Sequence, residues 1–314
     1  MYFFVNLTSY TIGVLLGGFS SERSVSIKSG TAVLESLKRS GLTAIAIDPR
    51  SKNFETKLNR VDAVFIALHG EFGEDGQIQK LLEKKKIPYA GSQVKGMQIS
   101  FDKLKTKQIL KQKGLPTPPF WILTRANWKY VAARIPGSFF IKPFTEGSSV
   151  GVELIESFEK NADIIRKSVH RYGKILAEAK VTGREVTAGI LGDKKLPVVE
   201  IRTQRAFYDY TAKYTPGFTE YVTEHGLPGR QVRRIQNTAM KVFKALQMRD
   251  FGRIDMMLDE KGRPYVLEAN SIPGLTAMSL LPKAAGKAGI SFDELVLTIV
   301  GMAARRIKKV KGKH

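Results

Sequence analysis

The chain has 314 residues, 43% of them apolar and 25% charged, which is enough for two or three units with substantial cores and ordinary for a soluble globular protein. It has no cysteine and only four histidines (His69, His170, His225, His314), so disulfides and thiolate metal sites are excluded and zinc has little to bind. The formal charge of +22 raises nucleic acid as a partner, but the basic residues sit in a terminal stretch over 305–313 and are otherwise scattered over predicted helices, with no aromatic-interleaved basic motif.

No nucleic-acid partner is therefore expected. Eighteen consecutive uncharged apolar residues occur nowhere, so no membrane span is expected either. The opening MYFFVNLTSYTIGVLLGG lacks a basic leading segment and a small-residue cleavage site, which points to a cytoplasmic address.

The first segment reads strand (11–16), helix (22–39), strand (42–48), strand (62–68) and helix (78–86). Strands alternating with helices imply a parallel sheet, so residues 1–95 are expected to form a small doubly wound domain. The GGFSSE turn after the first strand lacks the GxGxxG spacing, which speaks against a dinucleotide site. Glu22 follows that strand, and its simplest account is a favourable charge in the first turn of a helix. His69, in HGEFGEDG, follows a fully apolar strand, which in a parallel sheet places it at the carboxyl-end crevice where ligands bind; a structural histidine is the alternative.

A second unit is expected over 96–183. It starts with a single helix over 99–112, stopped by Gly114 and the proline cluster at 116–119, after which the chain runs extended. A strand over 138–142 then ends at Lys142 and leads into FTEGSSVG, followed by a strand over 151–154, a helix over 158–172 and a strand over 175–180. Glycines let backbone approach a ligand, and serine hydroxyls with successive amides can wrap phosphate oxygens beside the Lys142 charge. The loop is thus a phosphate-binding candidate, with a flexible hairpin connection as the alternative, and no Walker A spacing occurs in the chain.

The third unit, 184–314, carries strands over 185–191 and 197–202, the aromatic and polar loop FYDYTAKYTPG, a helix over 230–247 and the hairpin FGRIDMMLDEKGRPYVLEAN. A long loop of that composition is often a lid. In the hairpin, pairing Asp259 with Pro264 sets Asp255 opposite Glu268, and alternation then gathers Arg253, Asp255, Glu268 and Asn270 on one face. Two carboxylates and an amide oxygen beside an arginine form a hard oxygen site suited to magnesium or manganese; a solvated hairpin end is the alternative. NSIPGLT then makes a tight turn before Ser279 and Leu280, where a helix begins whose free amides can receive a carboxylate.

LLGGFSSERSVS, ALHGEFGEDG, DKLKTK, IKPFTEGSSVG, FYDYTAKY, GRIDMMLDEKGRPYVLEANSIPGLT and SLLP together resemble, in order and approximate spacing, the D-alanine:D-alanine ligases of the ATP-grasp superfamily. The resemblance runs from the first strand to about residue 300 and implies an α/β, three-domain ATP-grasp architecture, with nucleotide held between the central and C-terminal α+β domains. It implies ligation of two D-alanines to D-alanyl-D-alanine through a D-alanyl phosphate, with ATP, two Mg2+ (or Mn2+) ions and a homodimer. Carried over by position, Lys103, Lys142 and Lys213 resemble the phosphate-contacting lysines, with Ser149 in the phosphate loop. Glu178, Val181 and Glu185 match adenine and ribose contacts, and Asp255, Glu268 and Asn270 match the metal ligands. Glu22 looks like the anchor of the first ammonium, tied to Ser148 and Tyr214; Arg253 and Gly274 resemble the oxyanion donors, and Ser279 and Leu280 the second carboxylate's hold. His69 is placed as an orienting or proton-handling group.

Two departures stand out: Ala179, where some members carry lysine, and the basicity. The competing readings are a D-alanine:D-lactate depsipeptide ligase, against which Tyr214 argues, and a non-catalytic basic ATP-grasp protein binding nucleic acid, against which the intact metal face and Lys213 argue.

Overall fold

A computed structural model of the chain describes residues 7–205, 207–208, 212–213, 215 and 217–307. Among these the strands form three sheets. In the first, β1 (Thr11–Leu15) lies between β2 (Thr43–Ile47) and β3 (Ala63–Ile66), all parallel. Every residue of β3 is buried, as expected of a strand covered on both faces. Helix α1 (Arg23–Arg39) supplies Val33 and Leu37 to one face, while α3 (Gln77–Lys84) supplies Ile78 and Leu82 to the other, so the sheet is doubly wound as expected. A short helix, α2 (Phe54–Leu58), precedes β3. Gly17 and Gly18, at φ 82° and 78°, turn the chain out of β1 toward α1, a backbone region that side-chain-bearing residues enter at a cost.

The single helix expected over 99–112 is two helices, α4 (Val94–Phe101) and α5 (Lys103–Gln112). Asp102 breaks the run: its backbone is extended and its carboxylate accepts from the Lys105 amide at 3.0 Å, the capping that short acidic side chains favour. The break also lets the Lys103 amide donate to the Phe144 carbonyl at 2.9 Å, which ties the start of α5 to the loop after β5.

The second sheet has the order β4-β7-β5-β6, with β4 (Phe120–Thr124), β5 (Phe139–Lys142), β6 (Glu153–Ile155) and β7 (Lys174–Ala179). Helices α6 (Trp128–Ala132) and α7 (Phe158–Tyr172) cover one face through Trp128, Ile165 and Val169. The third sheet, also antiparallel, has the order β10-β9-β8-β11-β12. Its strands are β8 (Arg184–Leu191), β9 (Lys194–Thr203), β10 (Thr219–Val222), β11 (Phe251–Leu258) and β12 (Pro264–Asn270). Alternation decides its two faces: Val186, Ala188 and Ile190 meet α8 (Gly229–Ala245), whereas Leu191, Val199 and Ile201 meet α9 (Leu280–Lys287) and α10 (Phe292–Ala304).

The hairpin corrects the expected register at its turn and keeps it at the site. Leu258, not Asp259, pairs with Pro264, and the ladder then shifts between Asp255 and Met256, so that Met256 faces Val266 while Asp255 faces Glu268. A β-bulge at Leu267 therefore absorbs the one-residue difference before the charged residues are reached.

Candidate active site

The carboxyl ends of β1 and β3, the loop after β5, the start of α5 and the hairpin β11–β12 converge on one cleft of about 410 Å3. It is lined by Glu22, His69, Lys103, Ser148, Lys213, Arg253, Glu268, Asn270, Gly274, Ser279 and Leu280. A second hollow opens between the two antiparallel sheets and is lined by Lys142, Ser149, Glu178, Val181, Glu185 and Asp255. Lys103, Lys213 and Glu268 line both. Every residue singled out from the sequence is thus at one of two adjoining walls, except Tyr214, which lies outside the described residues.

Glu22 stands at the N-cap position of α1 without a side-chain capping bond and is buried, and its Oε1 accepts a hydrogen bond from Ser148 across 126 residues of sequence. Ser148 and Ser149 have φ of 48° and 61°, left-handed values that non-glycine residues rarely take and that surrounding structure must enforce. Ser149 Oγ donates to the Tyr208 carbonyl at 3.1 Å, so the serine pair fastens the phosphate-loop candidate to both α1 and the loop after β9. Lys103 Nζ donates to the Glu146 carbonyl in the same loop.

On the hairpin, Arg253 Nε and Nη2 hold both oxygens of Asp255 at 2.8 Å, and Thr187 Oγ1 donates to Oδ1 at 2.6 Å. Asn270 Nδ2 donates to Asp255 Oδ2 at 3.0 Å, which turns the amide oxygen away from Asp255. Glu268 stands opposite Asp255, with Lys213 Nζ 3.9 Å away. Among the described residues no three His, Cys, Asp or Glu side chains converge as a cage. A magnesium ion held by these two carboxylates and the Asn270 amide oxygen requires that amide to rotate by half a turn, with waters and phosphate oxygens as the remaining ligands.

Burial and charge split these acids into two groups. Burial alone would raise Glu268, but Lys213, Lys103 and Arg253 overcome it and hold its carboxyl down to about 2. Glu185 is pushed up to about 7 by burial and by Asp255, and Glu74 up to about 8 by burial and by Glu22. Burial, aided by Arg253, brings His69 down to about 4, so its imidazole is neutral at pH 7. One ring nitrogen bonds the Ile272 backbone, while Nε2 is buried without a partner among the described residues.

Two family models cover most of the chain: the D-ala D-ala ligase C-terminus matches residues 109–301 and the D-ala D-ala ligase N-terminus residues 46–92. The chain belongs to the D-alanine–D-alanine ligase family. It is 44% identical over 296 residues to the D-alanine–D-alanine ligase of Nitrosococcus oceani, covering 93% of each chain. The Acinetobacter baumannii enzyme is 44% identical over 292 residues, 92% of this chain and 94% of its own. Among solved structures, the Bacillus anthracis D-alanine–D-alanine ligase complexed with ATP superposes with a TM-score of 0.83 at 30% identity, covering 96% of this chain and 99% of that one. The VanG D-Ala:D-Ser ligase of Enterococcus faecalis gives 0.81 at 26% identity, covering 93% and 99%.

For a D-alanine–D-alanine ligase family member the fold is accordingly the ATP-grasp α/β architecture. Two residues of the cleft and one buried behind it escaped sequence reasoning. Glu74 sits in the quoted HGEFGEDG motif, but its carboxylate accepts from the Gly70 amide at 2.8 Å inside the cleft, which only the fold of that loop reveals. Tyr208 lines both walls, and its hydroxyl meets that of Tyr221 at 2.6 Å. Lys107 is fully buried beneath Glu178, although its sequence neighbourhood reads as an ordinary solvated helix.

Proposed function

We propose that the chain joins two D-alanines to D-alanyl-D-alanine, a unit for peptidoglycan precursors, while converting ATP to ADP and phosphate. The observation that carries this reading is the Ser148–Glu22 bond, which joins a loop built for phosphate to a buried carboxylate built for an ammonium group within one cleft. A carboxylate is a poor acyl donor because it would have to expel oxide. An oxygen of the first D-alanine therefore attacks the terminal phosphorus of ATP, ADP departs, and the resulting D-alanyl phosphate carries a competent leaving group. The amine of the second D-alanine then attacks the carbonyl carbon, the C–O bond to phosphate breaks, and the peptide bond forms with loss of one amine proton.

Position in the cleft and hollow supports each assigned role. Glu22 takes the first ammonium, and Ser148 holds it there. Lys103, Lys142 and Lys213, with Ser149, receive phosphate oxygens, while Glu178, Val181 and Glu185 line the end of the hollow suited to adenine and ribose. Asp255, Glu268 and Asn270 would hold two magnesium or manganese ions, whose positive charge neutralises the transferring phosphoryl group. Arg253 and the Gly274 amide face the oxyanion. Ser279 Oγ accepts from the Thr276 amide at 3.1 Å, setting the start of α9 and the Leu280 amide toward a carboxylate. Nε2 of neutral His69, without a partner among the described residues, is fit to orient the second amine or accept its proton. Tyr214 is assigned the lid's link to Ser148 on the sequence resemblance alone.

The reading extends to units over 1–95, 96–183 and 184–314, a homodimer, and a cytoplasmic site where ATP is supplied. ADP release measured with D-alanine, L-alanine, D-lactate and D-serine tests it. Release dependent on D-alanine is expected, and a preference for D-lactate or D-serine as second substrate would redirect the assignment to a relative of another specificity.

A further inference from the structure

Lys107 is 1% exposed, and a buried ammonium is strongly destabilising unless it is fully paired. Its Nζ donates to Thr117 Oγ1 at 2.7 Å and to the Val266 carbonyl at 3.0 Å, and it forms an ion pair with Glu178 Oε2. Glu178, also 1% exposed, gives its other oxygen to Lys142. One carboxylate thus bridges two ammonium groups, but the two are not equivalent. Lys142 is 13% exposed and lines the hollow; Lys107 lies behind Glu178, does not line it, and is anchored to β12 two residues before Glu268.

A buried carboxylate next to a phosphate-binding hollow is a liability, because it repels phosphate and competes with it for the lysine. If Lys142 were the sole partner of Glu178, giving that ammonium to phosphate would strand an uncompensated charge in the interior. We infer that Lys107 is a positioning residue for nucleotide binding: it stays on Glu178 as a standing counter-charge, so that Lys142 can leave Glu178 for a phosphate. The inference rests on the reading of this hollow as the ATP site. Burial lowers Lys107 to about 8, with Glu178 opposing and Lys142 adding to the fall, so the ammonium is charged at pH 7.

The test is isothermal titration of ATP with magnesium, and separately of adenosine, into the full chain, comparing wild type, Lys107→Met and Lys107→Arg, with D-alanine KM at saturating ATP measured in parallel. Lys107→Met keeps the volume and removes the charge, so Glu178 clamps Lys142. ATP Kd is expected to rise at least tenfold, with D-alanine KM within twofold of wild type. Adenosine carries no phosphate and is expected to bind Lys107→Met within threefold of wild type, and Lys107→Arg, which keeps the counter-charge, is expected to restore ATP binding, a split that a merely structural lysine would not show. Unchanged ATP binding in Lys107→Met, or adenosine binding weakened as much as ATP binding, overturns the inference. If Lys107→Met does not fold, Lys107→Gln takes the same two titrations, with the same results supporting or overturning the inference. Failure of wild type to bind ATP would remove the ATP reading of the hollow and the inference with it.

Discussion

Gly147 offers a way to disturb Glu22 without touching it. A Cβ at Gly147 would lie 2.3 Å from Glu22 Oε2 and 3.1 Å from its carboxyl carbon, where ordinary contact begins near 3.4 Å. Its φ is not left-handed, so alanine suits the backbone, and the whole effect of Gly147→Ala falls on the contact. Carboxylate and loop must separate by about 1 Å, which breaks the neighbouring Ser148–Glu22 bond. A hydrogen bond to a charged group contributes about 1.5–3 kcal/mol, and each 1.4 kcal/mol is tenfold, so kcat/KM for the first D-alanine is expected to fall about 10- to 150-fold. The assay is coupled ADP release at saturating ATP with D-alanine varied, and ATP affinity is measured separately and expected to hold. Kinetics within twofold of wild type would refute the role given to the Glu22–Ser148 bond, and an equal loss of ATP affinity would move the defect from Glu22 to the loop.

Glu268→Gln removes one charge opposite Asp255 while keeping packing volume, and turnover is expected to fall at least about tenfold with partial recovery at high magnesium; near-normal rates across a magnesium titration would contradict the metal assignment. His69, held down to about 4, should stay neutral from pH 5.5 to 8 in nitrogen-detected NMR. Because its folded pKa lies below the ordinary 6.5, protonation favours the unfolded chain, and stability should decline as pH falls from 6.5 toward 4, by up to about 3 kcal/mol. His69→Gln should flatten that slope in denaturant melts, and an unchanged slope would show that His69 is not the group responsible. Tyr214→Phe is expected to gain D-lactate use or ATP leakage relative to dipeptide synthesis, with ATP binding retained, and parallel assays with both second substrates check it.

Legibility in the sequence tracked how local each signal was. The parallel strands around Val14 and Phe65 announced themselves because apolar runs broken by glycine turns have few other uses. The carboxylate face of the hairpin was legible because side-chain alternation is rigid, yet its register was reached by compensating errors: the turn pairs one residue earlier than expected, and the bulge at Leu267 restores the sum. Bulges carry no clear residue signature, so that step was invisible. The break at Asp102 was missed because helical periodicity continues through it; only the capping of Lys105 and the pull of Phe144 on Lys103 show that the chain must turn there. Lys107 was missed for the opposite reason, since one lysine among Lys103, Lys105 and Lys111 carries no mark of burial until β7 places Glu178 over it.

The most direct test of acyl transfer through phosphate follows one oxygen atom. D-alanine labelled with oxygen-18 in both carboxylate positions is turned over with unlabelled ATP, and the released inorganic phosphate is weighed by mass spectrometry. If a carboxylate oxygen attacks the terminal phosphorus and leaves with it when the amine adds, each phosphate gains one heavy oxygen, and ADP gains none. Unlabelled phosphate, or AMP and pyrophosphate as products, would contradict it.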